Sequence, residues 1–173
     1  MKRILLVVAA GLVVLVIAAW VIGSRLPIAH VATIRVHYGV RPDSVWTVIT
    51  DFPAQPAWFS EVKRSERVAD INGHPTWRED LGGFTADMET AEWEPPRRLV
   101  RVVHAQDAGF RGSWTWELAP ADSTGTTLTL TERGEVDNPF FRLMVAAMDE
   151  TATIHSYAQA LGRRLGVEAH TEN

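Results

Sequence analysis

Glu132 is the residue through which this chain could move protons. It closes the alternation Leu128-x-Leu130-x-Glu132, opposite Thr127, Thr129 and Thr131, so on a strand its carboxylate shares the leucine face. An inward carboxylate must find a partner or hold its proton more tightly, and such groups concentrate at functional sites. Arg98, Arg111 and Arg142 are the candidate partners, and pairing with one of them would make Glu132 structural. His104 ends the set Val100, Val102, His104, and His155 borders a helical apolar stripe. Each is suited either to hydrogen-bond a ligand carbonyl or to serve as a satisfied structural histidine.

Other reaction sets are missing. The chain has no cysteine, which removes thiol nucleophiles, disulfides and thiolate metal sites together. Its six histidines show no His-x-x-x-His pair or other zinc spacing. No glycine-rich phosphate loop or Gly-x-Ser-x-Gly elbow occurs. Ser60-Glu61-Val62-Lys63 matches Ser-x-x-Lys, but its companion motifs are absent and the domain is too small for that fold. Glu79-Asp80 and Asp149-Glu150 are neighbours that diverge on a strand or helix, and they read as solvated surface charge. Nothing calls for a metal or a cofactor.

The apolar pattern points to binding instead. Trp114, Trp116 and Leu118 share one strand face, as do Phe84, Ala86 and Met88. Met144 and Met148 are soft fillers suited to an irregular apolar ligand. The expected ligand-binding set is therefore Phe84, Met88, His104, Trp114, Trp116, Glu132, Met148 and His155. The bland alternative for the indoles and thioethers is plain core.

These residues need elements to hold them. Ala32–Tyr38 alternates as a strand, and Pro42-Asp43-Ser44 opens a helix ended by Pro53 and Pro56. Six further strands follow up to Val136, divided by Asn72-Gly73, Gly82-Gly83, Glu94-Pro95-Pro96, Gly109 and Ser123-Thr124-Gly125. Their short connections predict an antiparallel meander, seven strands in all. Asn138 and Pro139 then start a helix that Gly166 ends, with Phe140, Met144, Ile154, Ala158, Leu161 and Leu165 on one stripe. A continuous helix over 139–165 would extend roughly 40 Å. The predicted class is α+β: a curved sheet around a long C-terminal helix, with a cavity between them.

The first 25 residues add an address. Ile4 to Ile22 is a run of 19 residues without a charge, spanning roughly 28 Å, about one bilayer core. Lys2 and Arg3 precede it, and Trp20, Ser24 and Arg25 suit the far interface. The run exceeds a signal-peptide core, and Val21-Ile22-Gly23 is a poor cleavage site, so an uncleaved anchor at 1–25 is expected before a domain at 28–168. Flanking charges are nearly balanced. Long C-terminal domains translocate largely regardless of charge, which favours a single-pass protein of the cell membrane with its domain outside the cytoplasm. Of 17 basic and 21 acidic residues, three basic ones flank the anchor, so the domain carries 14 against 21, a net of −7. That balance argues against nucleic acid, whose affinity comes from neutralised phosphates.

The order of elements and their wording resemble a known superfamily. The carriers are Pro42–Phe52 with Pro56-Ala57-Trp58, then Glu94-Pro95-Pro96-Arg97-Arg98-Leu99-Val100, then Gly112–Leu118. Leu128–Glu132, Gly134-Glu135-Val136 and Asn138–Arg142 complete the match, which covers about residues 30–166. The chain resembles the SRPBCC (START and birch-allergen-like) superfamily, in its polyketide cyclase/dehydrase-type branch. The resemblance implies the helix-grip fold. It implies no one function, because the superfamily holds lipid carriers, receptors, cyclases and coenzyme Q-binding proteins. It carries no catalytic signature onto these positions. The expectation is a membrane-tethered binder of a lipid, isoprenoid or quinone-like molecule, more a non-catalytic binder than an enzyme. The alternative is a cyclase or aromatase acting on an aromatic or polyketide-like substrate.

Overall fold

The computed structural model describes residues 2–105, 109–121, 124–147, 149 and 151–172. Helix α1 is Lys2–Arg25, followed by strand β1 at Ala29–Tyr38, helix α2 at Pro42–Thr50 and a 3₁₀ segment at Phe52–Ala57. The meander is β2 Arg64–Ile71, β3 His74–Asp80, β4 Thr85–Glu94, β5 Arg98–Ala105, β6 Phe110–Ala121 and β7 Gly125–Val136. Helices α3 Pro139–Ala146 and α4 Ala152–Leu165 follow, then β8 at His170–Glu172. The strands form one antiparallel sheet in the order β2-β3-β4-β5-β6-β7-β1-β8. The eighth strand is an addition to the sequence reading: the polar tail pairs with β1, Val36 opposite Thr171.

The local reasons are those of turn and cap chemistry. Asn72 and Gly73 both take positive φ, 54° and 80°, the requirement of a tight hairpin between twisted strands. Asn138 accepts from the Phe140 N–H at 2.8 Å and caps α3, with Pro139 in the first turn. Gly166 ends α4 in the left-handed region at φ 72°. Ile34, Val36, Tyr38, Leu128 and Leu130 on the inner face of the sheet pack against Ile154, Tyr157, Ala158 and Leu161 of α4. The Tyr38 hydroxyl donates to the Ala158 carbonyl at 2.9 Å, fixing α4 on the sheet.

The C-terminal helix is in two pieces. The continuous rod expected over 139–165 is replaced by α3 and α4. Asp149 Oδ1 accepts from both the backbone N–H and the hydroxyl of Thr151, at 2.8 and 2.7 Å. Such a side-chain turn competes with helical continuation. Of the two, only α4 buries residues in the core against the sheet. Helix α3 turns to α1 instead, so closely that a Cβ on Gly23 would lie 2.0 Å from the Pro139 carbonyl oxygen. Substituting Gly23→Val should push the helices apart. Limited trypsin digestion checks this, with faster cleavage at Arg142 expected in the variant and an unchanged rate counting against the contact.

Among the described residues, α1 is the one helix long and apolar enough to cross a membrane, with a mean hydropathy of 3.1 over its most apolar stretch.

Candidate functional site

Between the inner face of β3–β7, the loop after the 3₁₀ segment and α4 lies a cavity of about 560 Å³. Ligand pockets occupy about 300–1,000 Å³, so the space is ligand-sized. Its depth is set by exposure. Arg101, Glu79, Trp116 and Tyr157 form a sealed inner end, while Phe84, Lys63, Phe110 and Thr153 stand partly or fully open at the rim.

Aromatic rings build one wall. Trp114 and Trp116 alternate on β6 and lie 5.7 Å apart at a tilt of 35°. Tyr157 of α4 meets both, edge-on to Trp114 at 5.5 Å and tilted to Trp116 at 5.9 Å. Phe59 closes on Tyr157 from the other side at 5.2 Å. Offset and edge-to-face contacts of this kind hold rings rigidly and leave an apolar face toward the cavity. Burial raises the Tyr157 phenol well above its ordinary range, so it stays neutral.

Glu132 reaches the cavity from β7 and is 9% exposed. Burial pushes its carboxyl up to about 7; the indole of Trp114, its cross-strand partner, draws it down in part, and the Glu61 charge raises it. None of the three candidate arginines pairs with it. Arg98 binds Glu92 and Glu117, Arg111 binds Glu135 and Asp137, and Arg142 donates to the Leu26 and Asp137 carbonyls. A carboxyl titrating near neutrality in an apolar cavity can accept or donate a proton, or hydrogen-bond a ligand in either state.

The inner end holds charge that the sequence reading placed elsewhere. Glu79, read as solvated surface, is 3% exposed and accepts from Arg101 Nη1 at 2.7 Å. The Arg101 guanidinium also lies 4.1 Å over the Phe52 ring. Its Nε and Nη2 have no hydrogen-bond partner among the described residues. Trp116 Nε1 is likewise buried without one. Groups of this kind call for an explanation, and a ligand oxygen is one.

Five of the expected residues line the cavity together: Phe84, Met88, Trp114, Trp116 and Glu132. His155 is half-buried on α4, outside the lining, where Thr153 and Tyr157 take the inward positions. Met148 lies outside the described residues. His104 is on the wrong face. The inward residues of β5 are Arg101 and Val103, and His104 points to the outer side. There its Nε2 meets Glu89 Oε2 at 2.8 Å, while His74 Nδ1 meets Oε1 at 2.7 Å and Asn72 donates to both oxygens. Burial raises the Glu89 carboxyl, but the hydrogen bonds from His74, His104 and Asn72 outweigh it and hold the group below the ordinary range.

Removing this anchor gives a defined result. Glu89→Gln should lower stability at pH 7 by about 1–3 kcal/mol, the cost of leaving buried partners unsatisfied. The wild-type contribution is present above the ordinary carboxylate range and lost as pH falls through the lowered value. The deficit of the variant should therefore shrink in acid, read by urea unfolding at pH 7 and pH 3.

A depression of about 590 Å³ lies on the outer face among Glu94, Arg97, Arg98 and Glu117. Its charges pair with one another, Arg97 with Glu94 and Arg98 with Glu117. Among the described residues no group of His, Asp and Glu is placed to hold a metal ion.

Comparison with known proteins agrees with this architecture. The family described as polyketide cyclase/dehydrase and lipid transport matches residues 29–163. A START superfamily protein from Mycobacterium smegmatis superimposes with TM-score 0.63 at 18% identity, covering 79% of this chain and 97% of that one. The Zhui aromatase/cyclase from Streptomyces sp. R1128 gives 0.63 and 18%, covering 80% and 94%. Norcoclaurine synthase from Thalictrum flavum gives 0.62 and 14%, covering 80% and 94%. At these identities the likeness is one of fold. No curated protein sequence matches.

Proposed function

The chain belongs to the polyketide cyclase/dehydrase and lipid transport family, and from that membership we propose that it binds or carries an apolar small molecule beside a membrane. The cavity of about 560 Å³, walled by Trp114, Trp116, Phe59 and Met88, carries the reading. Lipids, isoprenoids and quinones fit such walls. The partnerless Arg101 nitrogens favour a molecule whose leading end bears an oxygen. Residues 1–25 serve as the anchor and 28–168 as the binding domain. With the domain outside the cytoplasm, the tether keeps it near the bilayer, since a net charge of −7 gives no attraction to anionic headgroups.

The full chain in lipid nanodiscs tests this. Native mass spectrometry with solvent extraction should find one apolar molecule per chain, or saturable uptake of added ubiquinone or farnesol. Val103→Trp, which fills the cavity, should abolish it. Absence of any adduct and of any saturable uptake would overturn the proposal.

A second reading rests on Glu132. A carboxyl near pH 7 beside an aromatic wall is an acid–base group held against a shaped space, and cavity shape can orient a reactive chain. The Zhui aromatase/cyclase shares this fold, which makes aromatic or polyketide-like substrates the class to assay. Under this reading Glu132→Gln loses turnover while keeping binding; unchanged turnover dismisses it.

A further inference from the structure

We propose that the cavity mouth opens onto the bilayer surface, with α3 lying in the interface as its doorstep, so that the ligand is exchanged with lipid and not with bulk water. This rests on the reading of α1 as an anchor and of the cavity as a binding site. Three observations carry it.

The first is where α3 sits. Its Pro139 carbonyl lies against Gly23, in the last turn of α1. Arg142 of α3 donates to the Leu26 carbonyl at 3.1 Å, just beyond that turn. If α1 spans, Trp20 and Arg25 mark headgroup level, and α3 lies at that depth.

The second is what α3 shows to its surroundings. Phe140, Phe141 and Met144 are 44%, 46% and 53% exposed, and the helix has no buried residue. A helix with large apolar side chains outward and only Arg142 charged suits an interface of acyl chain and headgroup. In water the same face is a liability.

The third is that the chain on both sides of α3 meets the rim of the mouth. The chain enters it from Val136, whose register partner is the rim residue Phe110. It leaves toward Thr153, on the rim in the first turn of α4. Val136 N–H also donates to the Ile28 carbonyl at 2.9 Å, tying this edge to the segment emerging from α1. Phe84, 41% exposed, stands on the same rim. The opposite end of the domain is far away. β1 runs ten residues from Ala29 to Tyr38, roughly 33 Å, before α2 begins near Asp43.

The chain has no cysteine, so single labels are clean. Phe140→Cys, Phe84→Cys and Asp43→Cys in the full chain would each carry an environment-sensitive NBD fluorophore. The proteins would be reconstituted in phosphatidylcholine–phosphatidylglycerol vesicles with and without nitroxide-labelled lipid. Labels at 140 and 84 should shift to the blue and lose at least half their emission to the nitroxide, independent of protein-to-lipid ratio, while position 43 changes by less than a tenth. Quenching at 140 and 84 equal to that at 43 overturns the proposal, as does quenching at 140 alone. Shielding that grows with protein density points to a second copy covering α3 and overturns it too. Ubiquinone uptake measured in the same vesicles separates the two ideas. Uptake without shielding fails the doorstep alone, and shielding without uptake fails the binding reading while the geometry stands.

Discussion

Replacing Arg101 with Met is expected to destabilise the domain by about 3–5 kcal/mol, the cost of stranding a buried charge. Glu79 would remain 3% exposed with its ion-pair partner gone. Two buried charges removed together behave differently, because well-packed apolar residues of similar volume often match or exceed a buried ion pair. The double variant Arg101→Met with Glu79→Leu should therefore recover most of the loss. Urea unfolding of both variants in the same detergent checks the pattern, and equal losses in the two would refute it. The comparison also bears on function. A guanidinium with two partnerless nitrogens is a poor way to stabilise a core. If its use is to meet a ligand oxygen, the double variant should fold yet bind an oxygen-bearing quinone about tenfold more weakly, close to one hydrogen bond. Undiminished affinity would leave the pair a purely structural device.

Arg101 also shows where sequence reasoning stops. β6 and β7 were legible because one face is apolar and the other is not: Trp114, Trp116, Leu128 and Leu130 against Thr115, Glu117, Thr127 and Thr129. The inward position of Glu132 followed from that contrast. β5 offers no contrast. Leu99, Val103 and Ala105 are buried on one face and Val100 on the other, so its parity could not be read from alternation. His104 was placed inward with Val100 and Val102 for that reason, a grouping that leaves Arg101 on the opposite face. The correct parity depends on Glu79, two strands and 22 residues away, a non-local fact. The C-terminal stripe misled for a related reason. Hydrophobic periodicity marks an apolar face without naming its partner: Phe140 and Met144 stay exposed on α3, while Ile154, Ala158 and Leu161 pack on the sheet. Tyr157, the hub of the aromatic wall, was available: it stands three residues after Ile154 and four before Leu161, on the helix's inner face.

Glu132→Gln should make the domain more stable at pH 8 and almost equally stable at pH 5. The carboxyl titrates near 4.5 when unfolded and near 7 when folded, because burial opposes its charge. Below about 4.5 both states hold the proton and nothing is lost. Between 4.5 and 7 the unfolded chain ionises first, so native stability falls as pH rises, and above 7 the whole penalty applies. Its size is about 3 kcal/mol for the separation between the two values. Glutamine keeps the hydrogen-bonding shape and cannot ionise, so the variant should escape most of that penalty at pH 8. Urea midpoints of both proteins at the two pH values read it directly, and a difference that does not change with pH would refute the shift. The same logic reaches binding. A ligand filling the cavity removes further water from Glu132, which favours the protonated form and makes uptake weaken as pH climbs past 7. In the glutamine variant that slope should vanish. A wild-type affinity flat from pH 6 to 9 would mean that the ligand sits clear of Glu132, and it would move the functional end of the cavity to Arg101.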